Sequence, residues 1–157
     1  VNSVRKGSII LLNKWDLIDK EKVSIEKTEK DIYRKLWFMR YAPVLTISAL
    51  NRQRVTKVFK MIDRVIAESS KRISTHELNE FLRAAVARKE PPLYQKGRVK
   101  IYYITQVKTN PPGFTIFTNK KAGIKEQYVR YLEGQLRERF GFQGTPVDFY
   151  VRQKKQR

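Results

Sequence analysis

The sequence predicts an α/β unit over residues 1–70, followed by an α+β unit over residues 71–157. Three observations carry this reading. Two apolar runs, Ile9-Ile10-Leu11-Leu12 and Val44-Leu45-Thr46-Ile47, alternate with two stretches of helical periodicity. From Ser74 onward the order changes to helix, strand, strand, helix, strand. Between the two regimes lies a short polar and basic stretch, Ser69-Ser70-Lys71-Arg72, that reads as a linker.

Residues 1–8 give no clear element, so the chain is expected to open in the middle of a domain. Ile9 to Leu12 has the continuous apolar character of a strand buried on both faces, as in a parallel sheet. Ile25, Thr28, Ile32, Leu36 and Met39 fall on one helical stripe, which predicts a helix from Ile25 to Arg40. Pro43 breaks it and opens the next strand, to Ile47. After a polar turn, Val55, Val58, Phe59, Ile62, Val65 and Ile66 predict a second amphipathic helix.

Ser74 and Glu77 form a capping box, and Ile73 with Leu78 a hydrophobic staple, so a helix starts there. Leu78, Phe81, Leu82, Ala85 and Val86 supply its buried stripe, and Pro91-Pro92 prevents its continuation. Val99 to Val107 alternates, with odd positions facing one way and Lys100, Tyr102, Ile104, Gln106 and Lys108 the other. A turn at Thr109 to Gly113 leads into a return strand, Phe114 to Thr118. Ile124, Tyr128, Leu132, Leu136 and Phe140 mark a long helix, which Gly141 closes. Val147, Phe149 and Val151 alternate in the last strand. One mixed three-stranded sheet with both helices on one face would bury all these stripes.

Charge is the strongest bulk signal. The 34 Lys and Arg residues against 15 Asp and Glu give +19. Residues 1–70 hold 15 basic and 8 acidic residues, for +7; residues 71–157 hold 19 and 7, for +12. A field of this size attracts polyanions, RNA first among them. The 41% hydrophobic content excludes a disordered tail. The lack of cysteine excludes disulfides and thiolate metal sites, and fits a reducing cytosol. The longest apolar runs fall far short of the roughly 20 residues a spanning helix needs. A cytoplasmic protein without membrane contact is the expectation.

Asn13-Lys14-Trp15-Asp16 follows the first strand, at the edge where open α/β sheets bind ligands. The pattern suits guanine. The Asp16 carboxylate can accept two parallel hydrogen bonds, from the ring N–H and the exocyclic amine, a donor pair that adenine lacks. Asn13 can bridge the acceptor edge of the base and nearby backbone, and the Lys14 stem can lie over the ring face. Ser48-Ala49 follows the second strand, where the Ala49 N–H can donate to the guanine carbonyl oxygen.

These two motifs resemble the base-recognition motifs of P-loop GTPases. The order of the second half resembles a KH-like fold. Together with Arg72-Ile73-Ser74-Thr75, Pro91-Pro92-Leu93, Lys100-Ile101-Tyr102-Tyr103, Gln106-Val107, Tyr131-Leu132-Glu133 and Phe140-Gly141-Phe142-Gln143-Gly144-Thr145-Pro146, they closely resemble the C-terminal part of the Der (EngA) family. The resemblance implies bacterial GTPases with two tandem G domains and a C-terminal KH-like domain, acting in large ribosomal subunit assembly. It implies a partial P-loop GTPase domain over residues 1–70, reading GTP or GDP through Asn13, Lys14, Asp16, Ser48 and Ala49, and a KH-like domain over 71–157. The implied partners are the large ribosomal subunit with its RNA, and a G domain that this chain does not contain. The sequence has no Gly-x-x-x-x-Gly-Lys-Ser/Thr and no Asp-x-x-Gly before the base motifs. Phosphate cradle and Mg2+ ligands would then lie upstream, so the chain alone is expected to be inert.

Candidate RNA contacts are the charges outside the apolar stripes: Lys96, Arg98, Lys100, Lys108, Lys120, Lys121, Lys125, Lys154, Lys155 and Arg157. Tyr102, Tyr103 and Phe117 could stack bases, although strand aromatics more often serve the core. Gly141-Phe142-Gln143-Gly144 has the letters of a KH clamp, but it joins a helix to a strand and reads as a helix end. His76, the one histidine, reads as a solvent-facing helix residue. Two rival functions stay open: a self-contained RNA-binding or ribosomal protein, and a KH-like protein-interaction module reporting nucleotide state.

Overall fold

The computed structural model describes residues 6–18 and 23–154. Its contacts divide the chain into two compact units, Val1–Ser69 with Gln143–Pro146, and Ser70–Phe142 with Val147–Arg157.

In the first unit β1 (Ile10–Leu12) pairs in parallel with β2 (Val44–Thr46), Ile10 opposite Val44 and Leu12 opposite Thr46. The crossover helix α1 spans Ile25–Lys35 and stops five residues earlier than its stripe predicts. Leu36 leaves helical geometry at φ −107°, ψ 50°, and Trp37–Met39 form a 3-10 turn. The cause lies in the return path. The Tyr33 hydroxyl donates to the carbonyl of buried Ala42 at 2.9 Å. Nine residues of helix would separate these two by about 13 Å, so the chain must double back before Pro43.

β1 is covered on one face only, since Leu11 is 43% exposed. The expectation of burial on both faces fails because this sheet has two strands and one connecting helix among the described residues. Helix α2 (Val55–Ser70) runs through the two serines expected to be linker. Val65 is buried, but Phe59, Ile62 and Ile66 on the same stripe are exposed. Residues 143–146 also pack in this unit: the Ser8 N–H donates to the Gly144 carbonyl at 2.7 Å, and the Gly144 N–H to that of Tyr41 at 2.6 Å. Gly144 has φ +79°, and a Cβ there would lie 2.2 Å from Val65 Cγ2, so the site requires glycine.

In the second unit α3 (Thr75–Arg88) begins with the expected box: the Ser74 hydroxyl accepts from the Glu77 N–H at 3.2 Å, and Glu77 Oε2 accepts from the Ser74 N–H at 3.2 Å. The sheet runs β3-β4-β5, with β3 (Ile101–Lys108) antiparallel to β4 (Gly113–Thr118), and β4 parallel to β5 (Asp148–Gln153). Helix α4 (Glu126–Phe140) supplies the crossover between the parallel pair.

Phe114 and Ile116 of β4 share the core with Leu78, Phe81 and Leu82 of α3 and Leu132 and Leu136 of α4. Both helices therefore cover one face of the sheet. Burying each of these side chains contributes about 1.5–3 kcal/mol. The alternation expected along β3 breaks. Ile101 pairs with Thr118 and Tyr103 with Phe117, so Tyr102 is an extra residue on its strand. The bulge lets Ile101 and Ile104, three residues apart, both reach the core. A second irregularity between Gln106 and Lys108 leaves Val107 exposed.

Candidate functional site

Strand β1 ends at Leu12, and the backbone turns at once. Lys14 adopts the left-handed conformation (φ 61°, ψ 31°), an unusual state for a residue with a Cβ, costing on the order of 1 kcal/mol. The turn leads into a 3-10 segment, Trp15–Leu17. The Trp15 N–H donates to the Ile47 carbonyl at 3.0 Å and its side chain is buried, so the motif is fastened to the end of β2.

Asn13 joins the two loops. Its Oδ1 accepts from the Lys14 N–H at 2.8 Å and from the Ala49 N–H at 3.0 Å. The two expected base-reading segments thus meet through a side chain 36 residues away in sequence. The Ala49 N–H, expected to meet the guanine carbonyl, is held by Asn13 here. Ser48 is fully buried, its hydroxyl accepting from the Asn51 N–H at 3.2 Å and its backbone bridging Gln53 in both directions. Ser48 is therefore a brace for the second loop. Asn13, Lys14 and Ala49 are exposed.

Asp16 is the anomaly. Its Oδ1 is buried and has no hydrogen-bond partner among the described residues. A buried oxygen left unsatisfied costs about 1–3 kcal/mol, more for a charged group. A ligand carrying N–H donors would relieve that cost.

The basic candidates separate once their partners are visible. Lys108 is committed: its Nζ lies 2.7 Å from Asp148 Oδ2 and 5.7 Å from the Tyr150 ring centroid. Asp148, followed by the Tyr150 hydroxyl, raises its pKa. Arg98 pairs with Glu90. Lys120 is half-buried and donates to the Tyr94 carbonyl at 3.3 Å, packing under Gly97. Lys125 is the N-cap of α4, not a member of its first turn, because the chain reaches the helix through a 3-10 turn at Lys121–Gly123. Its ammonium lies 5.4 Å from the Tyr94 ring. Lys96 stands exposed at the tip of the Tyr94–Gly97 hairpin turn, where Gln95 and Lys96 both have positive φ. Asn119 ties this corner together, accepting from the Lys100 N–H and donating to the Arg98 carbonyl. Lys100 and Lys121 are exposed. Lys154 lies over the Tyr102 and Tyr103 rings. Lys155 and Arg157 lie outside the described residues.

Phe142 is fully buried against Phe114, and its carbonyl accepts from Arg137, so of the two residues between the glycines only Gln143 is exposed. His76 pairs with Glu80 on the outside of α3. Tyr94 and Arg152 were absent from the expected contacts. Period-two alternation places Arg152 beside Tyr150 on one sheet face; nothing in the sequence marks Tyr94 as the ring under Lys125.

A mixed three-stranded sheet in the order helix, strand, strand, helix, strand, with a basic surface, defines a KH-like domain in an α/β protein. Residues 72–152 match the family described as the KH-domain-like of EngA bacterial GTPase enzymes, C-terminal, and the chain belongs to that family. It is 48% identical over 149 residues to GTPase Der of Ruminiclostridium cellulolyticum, and 46% over 149 residues to that of Acetivibrio thermocellus. To GTPase Der of Moorella thermoacetica it is 45% identical over 152 residues. These alignments cover 95–97% of this chain and 34–35% of each relative, so the chain spans about a third of their length. No helix among the described residues is long and apolar enough to cross a membrane.

Proposed function

We propose that the chain is the C-terminal part of a cytoplasmic GTPase that acts in assembly of the large ribosomal subunit. Residues 1–70 are the guanine-reading end of a partial P-loop GTPase domain, and residues 71–157 dock the protein on ribosomal RNA. The observation that carries the first role is the meeting of Asn13 with the Ala49 loop, next to an unpartnered buried oxygen of Asp16. In the complete protein GTP or GDP would be held at its base by Asn13, Lys14, Asp16 and Ala49, with Ser48 bracing the loop. The +12 on residues 71–157 supports the second role.

The test of the first is Asp16→Asn in the complete protein. The amide presents a donor where the carboxylate presents an acceptor, so preference should move from guanine to xanthine nucleotides. Calorimetry that finds guanine preference unchanged would refute Asp16 as the reader. The test of the second is salt. RNA affinity should fall steeply with ionic strength, by about 0.7 log unit per log unit of salt for each phosphate neutralised on a single strand. Affinity flat from low to high salt would refute docking through charge.

A further inference from the structure

The helices cover one face of the β3-β4-β5 sheet; the other face has a different chemistry. Register places Tyr103, Phe117 and Arg152 in one row across the three strands, and Thr105, Thr115 and Tyr150 in the next. These are the positions that alternate with core-facing Ile104, Phe114 and Ile116. Tyr103 and Phe117 stack on each other at 4.4 Å and 18°. Tyr102, displaced by the bulge, and Tyr150 are 42% and 41% exposed. The Lys154 ammonium lies 5.6 and 5.7 Å from the Tyr102 and Tyr103 ring centroids, and Arg152 is exposed beside Phe117. The carboxylate of Asp148, in the row beyond these, is neutralised by Lys108.

Aromatic rings beside unpaired cations match one kind of polyanion. A duplex offers phosphates but hides its bases, whereas a single strand offers both. From this juxtaposition we infer that the open sheet face, centred on Tyr103, Phe117 and Tyr150 with Arg152 and Lys154, docks single-stranded RNA by stacking unpaired bases on its rings. Lys154, held over two rings, is placed to exchange its cation–π contacts for a phosphate as a base arrives. The inference rests on the RNA-docking reading above and adds the face and the strandedness.

The experiment uses the whole chain and two fluorescein-labelled probes, an oligouridine 12-mer and an RNA duplex of equal length, at one salt concentration. Tyr103→Leu and Tyr150→Leu keep apolar volume and remove the ring. Each should weaken the single strand at least about fivefold, the low end of stacking by one base, and leave the duplex unchanged. In the unmodified chain, 4-thiouridine in the 12-mer should crosslink to peptides of β3, β4 or β5, a readout independent of whether a variant folds. Equal losses for both probes, or crosslinks confined to the Lys96–Lys121 corner, would overturn the inference and leave charge-driven RNA binding standing. No binding of either probe by the unmodified chain would overturn both. Self-association abolished by Tyr150→Leu, with oligouridine affinity intact, would assign the face to a second copy.

Discussion

Phe142 lies between two glycines in a stretch whose letters match an RNA clamp, and its environment predicts that replacing it costs stability and not RNA affinity. The ring is fully buried, meets Phe114 edge-on at 5.8 Å, and has the Lys71 ammonium 5.6 Å from its centroid. Truncation to alanine in such a site costs about 3–5 kcal/mol, a large part of the roughly 5–15 kcal/mol available to a small domain. Leucine is the informative variant. It keeps most of the apolar burial and loses the aromatic pair, for about 1–1.5 kcal/mol together with imperfect packing. In a domain of this size that lowers Tm by roughly 4–12 °C. Thermal melts followed by circular dichroism give the first number, and RNA titration well below Tm gives the second. A Phe142→Leu chain with unchanged Tm and RNA affinity reduced fivefold or more would refute the core assignment and restore the clamp.

Two further outcomes follow from single contacts. The Asn79 side chain accepts from the Ile104 N–H and donates to the Ile104 carbonyl, both at 3.1 Å, on the outer edge of β3. Asn79→Leu leaves both groups of an edge strand unpaired, so urea titration should show a loss of about 1–3 kcal/mol, and amide exchange should rise first at Ile104. The Tyr128 hydroxyl donates to the Lys89 carbonyl at 2.7 Å, and burial pushes its pKa from 10.0 to about 12. Between those values the unfolded chain has released a proton that the folded chain retains. The contribution is thus fully present below pH 10 and is lost as pH rises toward 12. Stability measured across that range should fall more steeply in the parent chain than in Tyr128→Phe; equal slopes would refute the assignment.

The elements legible in the sequence were those fixed by local chemistry. The box at Ser74 and Glu77, the stripe Leu78, Phe81, Leu82 and the alternation in β5 each depend on neighbours within a turn or two. What stayed hidden depends on distant partners. The end of α1 is set by a bond between Tyr33 and Ala42, which helical periodicity does not encode. The bulge at Tyr102 follows from strand pairing, and it moved Ile104 from the expected outer face into the core. At the candidate nucleotide site the sequence offers residue types alone. That Asn13 would take the Ala49 N–H was not legible, since it depends on how two loops meet.

The basic residues make the same point about function. A net charge says only that polyanions are attracted; partners decide where. All seven carboxylates after residue 70 are engaged locally. Glu80, Glu90, Glu126, Glu133 and Asp148 pair with Arg139, Arg98, Arg130, Arg137 and Lys108. Glu77 caps α3, and Glu138 accepts from Gln135. Acid–base pairing therefore absorbs charge along α4, between α3 and α4, beside the hairpin corner at Arg98 and at the β3-β4 turn end of the sheet. Lys96, Lys100, Lys121 and Arg152 have no carboxylate partner among the described residues, while Lys125 and Lys154 are held over aromatic rings. A uniformly basic surface would bind any polyanion in any orientation. Unneutralised cations stand at the hairpin corner and on the open sheet face, as they also do on α3 and at its end at Arg83, Arg88 and Lys89. Beside the first two groups four rings, Tyr94, Tyr102, Tyr103 and Tyr150, carry a cation at contact distance. Aromatic rings contribute nothing to binding bare phosphate and much to binding an exposed base. Their placement next to this charge is what supports the proposed docking of a nucleic-acid strand over that of a simple anion.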